Sequence, residues 1–311
     1  MDETLYPSYL SLAAKGLLHS RVEEAYERLA ACDLCPRECG VNRLKGELGY
    51  CRSGALAKVA SWNVHRGEEP PISGERGSGT IFFSNCTAHC LFCQNYPISQ
   101  LGVGREVSAE QLAGMMLELQ RLGCHNVNLV TPTHFVPQFL AALEVAASRG
   151  LRIPILYNTS GYDRTETLRL LEGVIDIYLP DAKYADDAVA RRLSGFKEYV
   201  SHNRAALLEM RRQVGCDLLL NGQGIATRGM IIRHLVLPHG LSQTSEVLRW
   251  IAENLSRKVH ISLMSQYFPA HKAVGDAELG RRLAPEEYEA ALAAFEAAGL
   301  ENGWQQPLEE Y

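Results

Sequence analysis

The sequence predicts an α/β fold: a partial (β/α)6 barrel of TIM type, preceded by an N-terminal cysteine-rich, metal-binding extension. Three observations predict it. Strand-like and helix-like segments alternate about six times, and alternation of this kind builds a parallel sheet with helices outside it. The strands are continuous apolar runs, as buried parallel strands are. Four of the nine cysteines lie before the first of these strands. Six units fall short of the eight in a complete barrel, so the barrel is expected to be partial.

The extension is assigned to residues 1–75. A helix is predicted over residues 8–31, and a loop-rich stretch with many turn-forming glycines and prolines over residues 32–79. This stretch is too poor in apolar residues to build a core alone. A bound metal would supply the missing cohesion.

The barrel is assigned to residues 76–311 and begins with a short strand at 80–85. Ser108, with Gln111 three residues later, forms a capping-box pattern at the start of the next helix. Further strands are expected at 126–131, 153–158, 174–180, 229–238 and 259–266, and further helices up to residue 150, at 163–173, within 185–214, at 244–256 and at 285–299.

Charge and hydropathy limit the cellular compartment and the partners that we expect for this protein. The net charge of −5 gives no strongly basic footprint, so a nucleic-acid partner is not expected. The N-terminus carries Asp2 and Glu3 instead of a basic region, and no run approaches the roughly 18 apolar residues of a membrane span. We therefore expect a soluble, cytoplasmic protein without a membrane partner. In a reducing cytosol, grouped cysteines favour metal binding or catalysis over disulfides.

The second cysteine group, Cys86, Cys90 and Cys93, forms a C-x3-C-x2-C run directly after the first predicted barrel strand. Three thiolates on one short loop can hold three irons of a cubane cluster and leave the fourth iron open, since such clusters usually take four cysteines. The spacing alone leaves two alternatives: zinc with a distant fourth ligand, or three core cysteines.

The residues around this group resemble the radical S-adenosylmethionine (SAM) superfamily, whose signature is C-x3-C-x-aromatic-C, with Phe92 at the aromatic position. Asn95 extends the run to C-x3-C-x2-C-x-N, as in activating enzymes of glycyl-radical enzymes. Most of the chain, roughly residues 30–305, looks like the pyruvate formate-lyase activating enzyme-like, PflX-type subgroup. The stretches that carry this resemblance are 32–40, 131–134, 232–238 and 264–267.

The resemblance implies a radical SAM enzyme in which Cys86, Cys90 and Cys93 bind a [4Fe-4S] cluster and SAM chelates the open iron. It implies reduction of the cluster by a one-electron donor such as flavodoxin or ferredoxin. Cleavage of SAM then yields a 5′-deoxyadenosyl radical that abstracts a substrate hydrogen, while the protein supplies binding and orientation. The implied partner is a glycyl-radical enzyme or another protein substrate.

Polar residues follow the predicted strands, where ligands bind in such folds. The superfamily often has Gly-Gly-Glu after the second strand as the ligand of the SAM amino group, but this chain has Thr131-Pro132-Thr133-His134, which leaves that ligand open. The Asp181–Lys183 pair matches the Asp-x-Lys of the activating enzymes and could bind the methionine moiety, a cation or each other. The candidate SAM-binding residues are Phe92, Asn95, Thr131, Thr133, Asn158, Ser160, Asp181, Lys183 and Arg233.

Three histidines, one of them next to Arg233, also lie in or shortly after predicted strands. Arg233 and His234 are neighbours in one predicted strand, so their side chains should point to opposite faces, and we expect Arg233 to face the interior. His134 and His271 are weaker candidates, because each could equally be a core or surface histidine.

The first cysteine group consists of Cys32, Cys35, Cys39 and Cys51. Four thiolates close a coordination sphere, which suits a structural zinc or an auxiliary [4Fe-4S] cluster; a metal-free group is the third alternative. The group is not the ferredoxin insert of some activating enzymes, since that insert follows the radical motif. Cys124 and Cys216 begin predicted strands and are expected to be plain buried residues.

Three functions are therefore compared. The first is a radical SAM enzyme that modifies a protein, with installation of a glycyl radical as the leading case. The second is a radical SAM enzyme that acts on a small molecule or another macromolecule. The third, from another class, is a non-catalytic iron–sulfur or zinc protein that senses redox state.

Overall fold

The structure is a computed structural model that describes residues 6–308. Asp2 and Glu3, on which the expectation of no signal peptide partly rests, lie outside the described residues. The helices are α1 (Tyr9–Ala14), α2 (Leu17–Glu27), α3 (Pro70–Ser73), α4 (Tyr96–Ser99), α5 (Ala109–Arg121), α6 (Val136–Ser148), α7 (Thr165–Leu170), α8 (Asp187–Ser194), α9 (Tyr199–Val214), α10 (Thr244–Asn254) and α11 (Pro285–Ala297). The strands are β1 (Ala57–His65), β2 (Ser78–Phe83), β3 (Arg105–Val107), β4 (Val127–Val130), β5 (Ile155–Thr159), β6 (Ile177–Pro180), β7 (Leu219–Leu220), β8 (Ala226–Leu235), β9 (His260–Met264) and β10 (Asn302–Gln305).

These strands form one mostly parallel sheet in the order β10-β9-β8-β6-β5-β4-β2-β1-β3, with β7 paired to β8. Every neighbouring pair from β2 to β10 is parallel, whereas β1 is antiparallel to both β2 and β3. The parallel strands follow chain order without reversal, so the sheet winds in one direction, unlike a doubly wound fold. The predicted α/β class with a mostly parallel sheet is confirmed.

Alternation along the strands decides which side chains meet inside. On β5, β6 and β8 the inner face includes Leu156, Leu179 and Ile231, which form one buried cluster with Ile72. Because successive residues of a strand point to opposite faces, the residues two positions further share that face. These residues are Asn158, Asp181 and Arg233. A polar layer therefore lies above an apolar one, towards the carboxyl ends of the strands.

The outer face of the sheet is packed against the helices. Val127, Leu129, Tyr157 and Met230 belong to a large buried cluster that also contains residues of α5, α6, α9 and α10. The capping box at Ser108 is present, with Gln111 and Ser108 bonded in both directions, so α5 begins where the sequence predicts. This packing fixes the strands whose inner residues line the site.

The secondary structure differs from the predicted one in three respects. The helix expected over 8–31 is broken at Gly16, which has φ 69° and separates α1 from α2. The stretch predicted as loop-rich, 32–79, contains the nine-residue strand β1. Its register shifts between Val59 and Ser61, so its apolar residues change from odd to even positions and the period-two pattern is lost. Finally, β3, β7 and β10 are strands beyond the expected set, and β10 pairs with β9.

The boundary at residue 75 between the two assigned segments stays a prediction. The structure adds that β1 and β2 are paired along their length, with Val64 opposite Gly79. A division at residue 75 therefore runs through the connection between two strands of the same sheet.

Candidate active site

The cysteine loop, defined here as residues 84–95, follows β2 and is held by backbone hydrogen bonds from several elements. The N–H of Asn85 donates to the Ile98 carbonyl at 3.0 Å, and the N–H of His89 donates to the Ser194 carbonyl at 2.9 Å. The N–H of Leu91 donates to the Leu193 carbonyl at 2.8 Å. These bonds place all three cysteines at the carboxyl end of β2.

The three cysteines of this loop are half-buried and lie in a polar setting. The Sγ of Cys86 accepts the Ala88 N–H at 3.3 Å, and the Sγ of Cys93 lies 3.1 Å from the Ser99 Oγ. Burial, together with the nearby thiols of Cys90 and Cys93, raises the pKa of Cys86 to about 12. Burial likewise raises the pKa of Cys90 to about 11. The influence of Cys90 and Cys93 on the pKa of Cys86 indicates that the three thiols lie near one another.

A cavity of about 760 Å³ opens beside these thiols, which is within the usual range for small-molecule and cofactor sites. It lies on the inner face of the sheet and reaches from the cysteine loop to the loop that follows β1. Eight of the residues predicted for the cluster and SAM site line it: Cys90, Phe92, Cys93, Asn95, Asn158, Asp181, Lys183 and Arg233. Phe92 is buried and packs edge-on against Tyr267, with ring centroids 5.8 Å apart.

Asp181 and Lys183 bind each other, which was one of the three alternatives for this pair. The Lys183 Nζ lies 2.6 Å from the Asp181 Oδ2, and both side chains are mostly buried. Burial lowers the pKa of Lys183, but the charges of Asp181 and of the Cys90 thiolate outweigh it, so the pKa of Lys183 is raised. Lys183 is therefore a fixed cation beside the cysteine loop.

Arg233 faces the cavity as expected, and it already has carboxylate partners. Its Nε and Nη2 donate to the two carboxylate oxygens of Glu69, each at 2.7 Å, and its Nη2 also contacts Glu68. The neighbouring His234 points the other way, where its Nδ1 lies 2.6 Å from the Ala182 carbonyl. The prediction of opposite faces is confirmed, but the carboxylates that Arg233 binds are those of the chain itself.

Glu68 and Glu69, together with His65, form the floor of the cavity, and the sequence reasoning missed them. Burial raises the pKa of Glu68, but the charges of Arg233 and His65 outweigh it and lower that pKa to about 2. The only signal in the sequence is the pair of glutamates before Pro70-Pro71, which lay in a stretch assigned to loop. Their role follows from the fold of β1, which places them under the sheet.

Four predicted residues are not among those that line the cavity: Cys86, Thr131, Thr133 and Ser160. The buried Thr133 hydroxyl donates to the Asp163 Oδ1 at 2.7 Å. Asp163 also accepts from Tyr157 and Thr159, so this network lies on the helix-covered side of the sheet. Thr131 adopts φ 59° at the end of β4. Ser160 contributes its carbonyl to Tyr199, at 3.0 Å.

All nine cysteines have free thiols. Cys124 is buried as expected, whereas Cys216 is only half-buried. Within residues 6–308, no group of three or more His, Cys, Asp or Glu side chains is arranged for a single metal ion. A cubane cluster binds each thiolate to a different iron, so its ligands surround a larger space than one ion does. Cys86, Cys90 and Cys93, with Lys183 to balance their charge, fit such a cluster.

The first cysteine group lies outside this cavity, against the other side of the cysteine loop. Its members line a separate small cavity together with Arg37, Arg43 and His134: Cys32, Cys35, Cys39 and Cys51. Cys32 and Cys35 are buried, while Cys39 is exposed. The two cysteine groups thus belong to two different cavities.

Comparison with known proteins agrees with this geometry. Residues 80–233, from β2 to β8, match the model of the radical SAM superfamily. The chain is 32% identical over 301 residues to the uncharacterized protein MJ0674 of Methanocaldococcus jannaschii, covering 94% of this chain and 82% of that protein. The chain belongs to the radical SAM superfamily. Members of this superfamily are enzymes, and the radical SAM fold implies a [4Fe-4S] cluster and SAM.

Among solved structures, similarity is found at low sequence identity. The chain is similar to HydG, a maturase of the [FeFe]-hydrogenase, with a TM-score of 0.50 and 13% identity over 97% of this chain and 66% of that one. A radical SAM methyltransferase from Sphaerobacter thermophilus gives a TM-score of 0.48 and 16% identity, over 73% of this chain and 65% of that one. The chain thus spans slightly less than two thirds of these two proteins. No helix between residues 6 and 308 has the length and apolar character to cross a membrane.

Proposed function

We propose that this radical SAM protein cleaves SAM reductively and uses the resulting 5′-deoxyadenosyl radical to abstract hydrogen from a protein substrate. The observation that carries the proposal is a 760 Å³ cavity lined by Cys90, Cys93 and candidate SAM-binding residues, with Cys86 close to both thiols on the same short loop. The three thiols would hold the [4Fe-4S] cluster. That cluster, with SAM, supplies the one-electron chemistry.

The residues of this chain supply orientation and shielding. Phe92 and Tyr267 form a buried aromatic wall on the cysteine-loop side, suited to the adenine ring. Asn158 and Asn95 offer amide groups to the ribose or the carboxylate. Lys183, fixed by Asp181, keeps a positive charge beside the cluster and its thiolates. Thr131 stays a candidate for the SAM amino group, whereas the hydroxyl of Thr133 is engaged by Asp163.

A protein substrate is favoured by the shape around the cavity mouth. A second groove of about 630 Å³ shares Gln94, Gln266 and Gln306 with the main cavity and continues past Phe268 and Leu308. A groove that adjoins the cavity suits an extended chain, one residue of which would enter the cavity. We accordingly assign the protein to the activating-enzyme-like, PflX-type subgroup, with installation of a glycyl radical as the reaction. The partial barrel and a cytoplasmic location with a flavodoxin or ferredoxin reductant belong to the same proposal.

The test of SAM cleavage uses protein reconstituted anaerobically with iron and sulfide, then incubated with SAM and dithionite. Wild type should release 5′-deoxyadenosine and methionine, Cys86→Ala should release neither, and the matched control Cys216→Ala should behave as wild type, because Cys216 lies outside both cysteine groups. Release of 5′-deoxyadenosine by Cys86→Ala, or none from wild type with its irons bound, would contradict the proposal.

The substrate class is tested by adding glycyl-radical enzymes to the same anaerobic mixture and recording the EPR spectrum. A carbon-centred doublet on the partner, dependent on SAM and absent with Cys86→Ala, is the expected result. Steady turnover of a small molecule without any protein radical would favour the second function. An iron–sulfur protein without SAM cleavage would favour the third, a redox sensor.

A further inference from the structure

The four-cysteine segment, defined as residues 32–53, carries the first cysteine group and folds against the cysteine loop. Its apolar core is small: Leu29, Cys32 and Leu34 are buried together, with Tyr26 and Val41 partly covering them. Few apolar contacts give little cohesion, since burial stabilises roughly in proportion to apolar area. The segment nevertheless has a defined fold around a cavity lined by four thiols, which calls for a further source of stability.

One side of this cavity carries an unsatisfied nitrogen. His134 is 1% exposed, and its Nε2 lies 2.9 Å from the Ser84 carbonyl. A carbonyl only accepts, so Nε2 carries the proton and Nδ1 presents a lone pair. That Nδ1 has no hydrogen-bond partner, and His134 lines the same cavity as the four cysteines. A buried acceptor without a partner is costly unless something binds it.

The backbone also approaches one of the thiols closely. A Cβ at Gly49 would lie 2.8 Å from the Cys39 Sγ, so only glycine fits there. The next residue, Tyr50, donates its N–H to the same sulfur at 3.4 Å. An N–H aimed at sulfur favours the thiolate form, which is the form that binds metal. Four thiols, one lone-pair nitrogen and an oriented N–H together make a donor set for a thiophilic metal.

The same segment contacts the cysteine loop through Arg37 and Tyr50. Arg37, between Cys35 and Cys39, donates from Nε and Nη2 to the Thr87 carbonyl at 3.1 and 2.9 Å. Its guanidinium also lies 3.7 Å from the ring centroid of Tyr50, and that ring stacks on His89 at 4.3 Å. Arg37 and Tyr50 thus reach the residues between Cys86 and Cys90.

Two more contacts lie at the start of the loop. Asn85, directly before Cys86, donates its Nδ2 to the Arg52 carbonyl at 3.2 Å and to the Ser53 Oγ at 3.1 Å. His134 donates to Ser84, one residue earlier, and Arg43 donates to the His134 carbonyl at 2.7 Å. Each contact comes from a residue near a cysteine of the first group or from one lining its cavity.

We propose that the four-cysteine cavity binds a thiolate-ligated metal centre, and that this centre positions the catalytic cysteine loop through Arg37, Tyr50 and the Asn85 contacts. Between residues 6 and 308 no three Cys, His, Asp or Glu side chains are arranged for a single ion, so an iron–sulfur cluster, whose thiolates bind different irons, fits this group better than one zinc ion, and metal analysis distinguishes the two. Because the metal would fix the residues that contact the cysteine loop, its loss should make the backbone of that loop more mobile while the loop's own cysteines remain. Arg37 is thus a positioning residue. The metal site stands independently of the proposed function, while the consequence for SAM binding rests on it.

The experiment uses three full-length variants beside wild type. Cys35→Ser removes a proposed metal ligand, and Arg37→Gln removes the hydrogen bonds to the Thr87 carbonyl while leaving the four thiols. Arg249→Gln is the matched control, because Arg249 is an exposed arginine on α10. Metal and sulfide per chain are measured after anaerobic reconstitution, and hydrogen–deuterium exchange is followed in peptides covering residues 84–95. The SAM-dependent change in the EPR signal of the reduced cluster is titrated in parallel.

Wild type should carry metal beyond the roughly four irons of one cubane. Cys35→Ser should lose that surplus, as zinc or as iron with sulfide. Arg37→Gln should keep all the metal yet exchange about tenfold faster in residues 84–95, equivalent to about 1.4 kcal/mol, and should titrate with SAM more weakly than Arg249→Gln.

A wild type without surplus metal, or a Cys35→Ser variant that keeps the surplus, overturns the metal site. Exchange in Arg37→Gln equal to that in Arg249→Gln overturns the positioning role, and this measurement does not depend on whether Cys35→Ser folds. A cluster in wild type that ignores SAM contradicts the proposed function, while metal content and exchange still decide this inference.

Discussion

Replacing Arg233 by glutamine removes the cation from a buried cluster of charges at the floor of the cavity. In the native protein this guanidinium forms a two-bond contact with Glu69 and a further contact with Glu68. The side chains are 15% exposed for Arg233, 8% for Glu68 and 5% for Glu69. The variant would leave two carboxylates in a site that water hardly reaches, so it should unfold more easily.

The size of the effect follows from two independent considerations. The pKa of Glu68 falls from 4.5 to about 2, which corresponds to about 3.5 kcal/mol at about 1.4 kcal/mol per pKa unit, and Arg233 and His65 share this stabilisation. Loss of one partner from a buried ion pair costs about 3–5 kcal/mol in other proteins. We therefore expect Arg233→Gln to lower the free energy of unfolding by about 3–5 kcal/mol at pH 7.

The cost should shrink at pH 5. Without Arg233, burial raises the pKa values of the stranded carboxylates above their ordinary range, so mild acid protonates them and relieves the repulsion. Urea unfolding followed by circular dichroism at both pH values measures this. The control Arg249→Gln should lie near wild type, and a variant with Arg233, Glu68 and Glu69 all changed to methionine should recover much of the loss. A cost below about 1 kcal/mol, or one equal at both pH values, would refute the reasoning.

Three further predictions use other contacts. Because the pKa of Glu68 is lowered, its carboxylate stabilises the fold at pH values above 4.5, the ordinary pKa, and this stabilisation is lost as the pH falls towards 2. Glu68→Gln should therefore make the free energy of unfolding depend less on pH in this acid range. An unchanged slope in acid titrations would speak against it. Ser108→Ala removes the capping hydroxyl of α5 and should lower the free energy of unfolding by about 1 kcal/mol, which would appear as a lower midpoint in thermal unfolding. An unchanged midpoint would mean that the capping box does not stabilise the protein. Lys183→Met removes a positive charge and should make the cluster's midpoint potential more negative, whereas Asp181→Asn removes a negative charge and should make it less negative, because local charge tunes such potentials. Shifts of the same sign in redox titrations would contradict this.

The sequence predicted the elements whose pattern is local. The helix α5 begins at its capping box, and the apolar runs at 126–131, 153–158 and 174–180 became β4, β5 and β6. Period-two alternation correctly separated Arg233 from His234. These features depend on neighbours a few residues away, so they are visible without a tertiary structure.

The strand β1 was missed for a physical reason. Its bulge shifts the apolar residues from Ala57 and Val59 to Trp62 and Val64, so no single alternation spans the nine residues. Its pairing with β2 is decided by distant partners. With β1 unrecognised, the sequence also gave no reason to bring Glu68 and Glu69 beneath the sheet.

By itself, the sequence determined the family, the division of the cysteines into groups of three and four, and eight of the residues that line the cavity, because spacing along one loop or one strand encodes each of them. The tertiary structure decided what those residues face. It gave Arg233 two glutamates of the chain and gave Thr133 the buried Asp163. It also set the four-cysteine segment against the catalytic loop through Arg37 and Tyr50. Such contacts join residues 30 to 165 positions apart, and their energies depend on burial and charge in the folded chain, which no local pattern records.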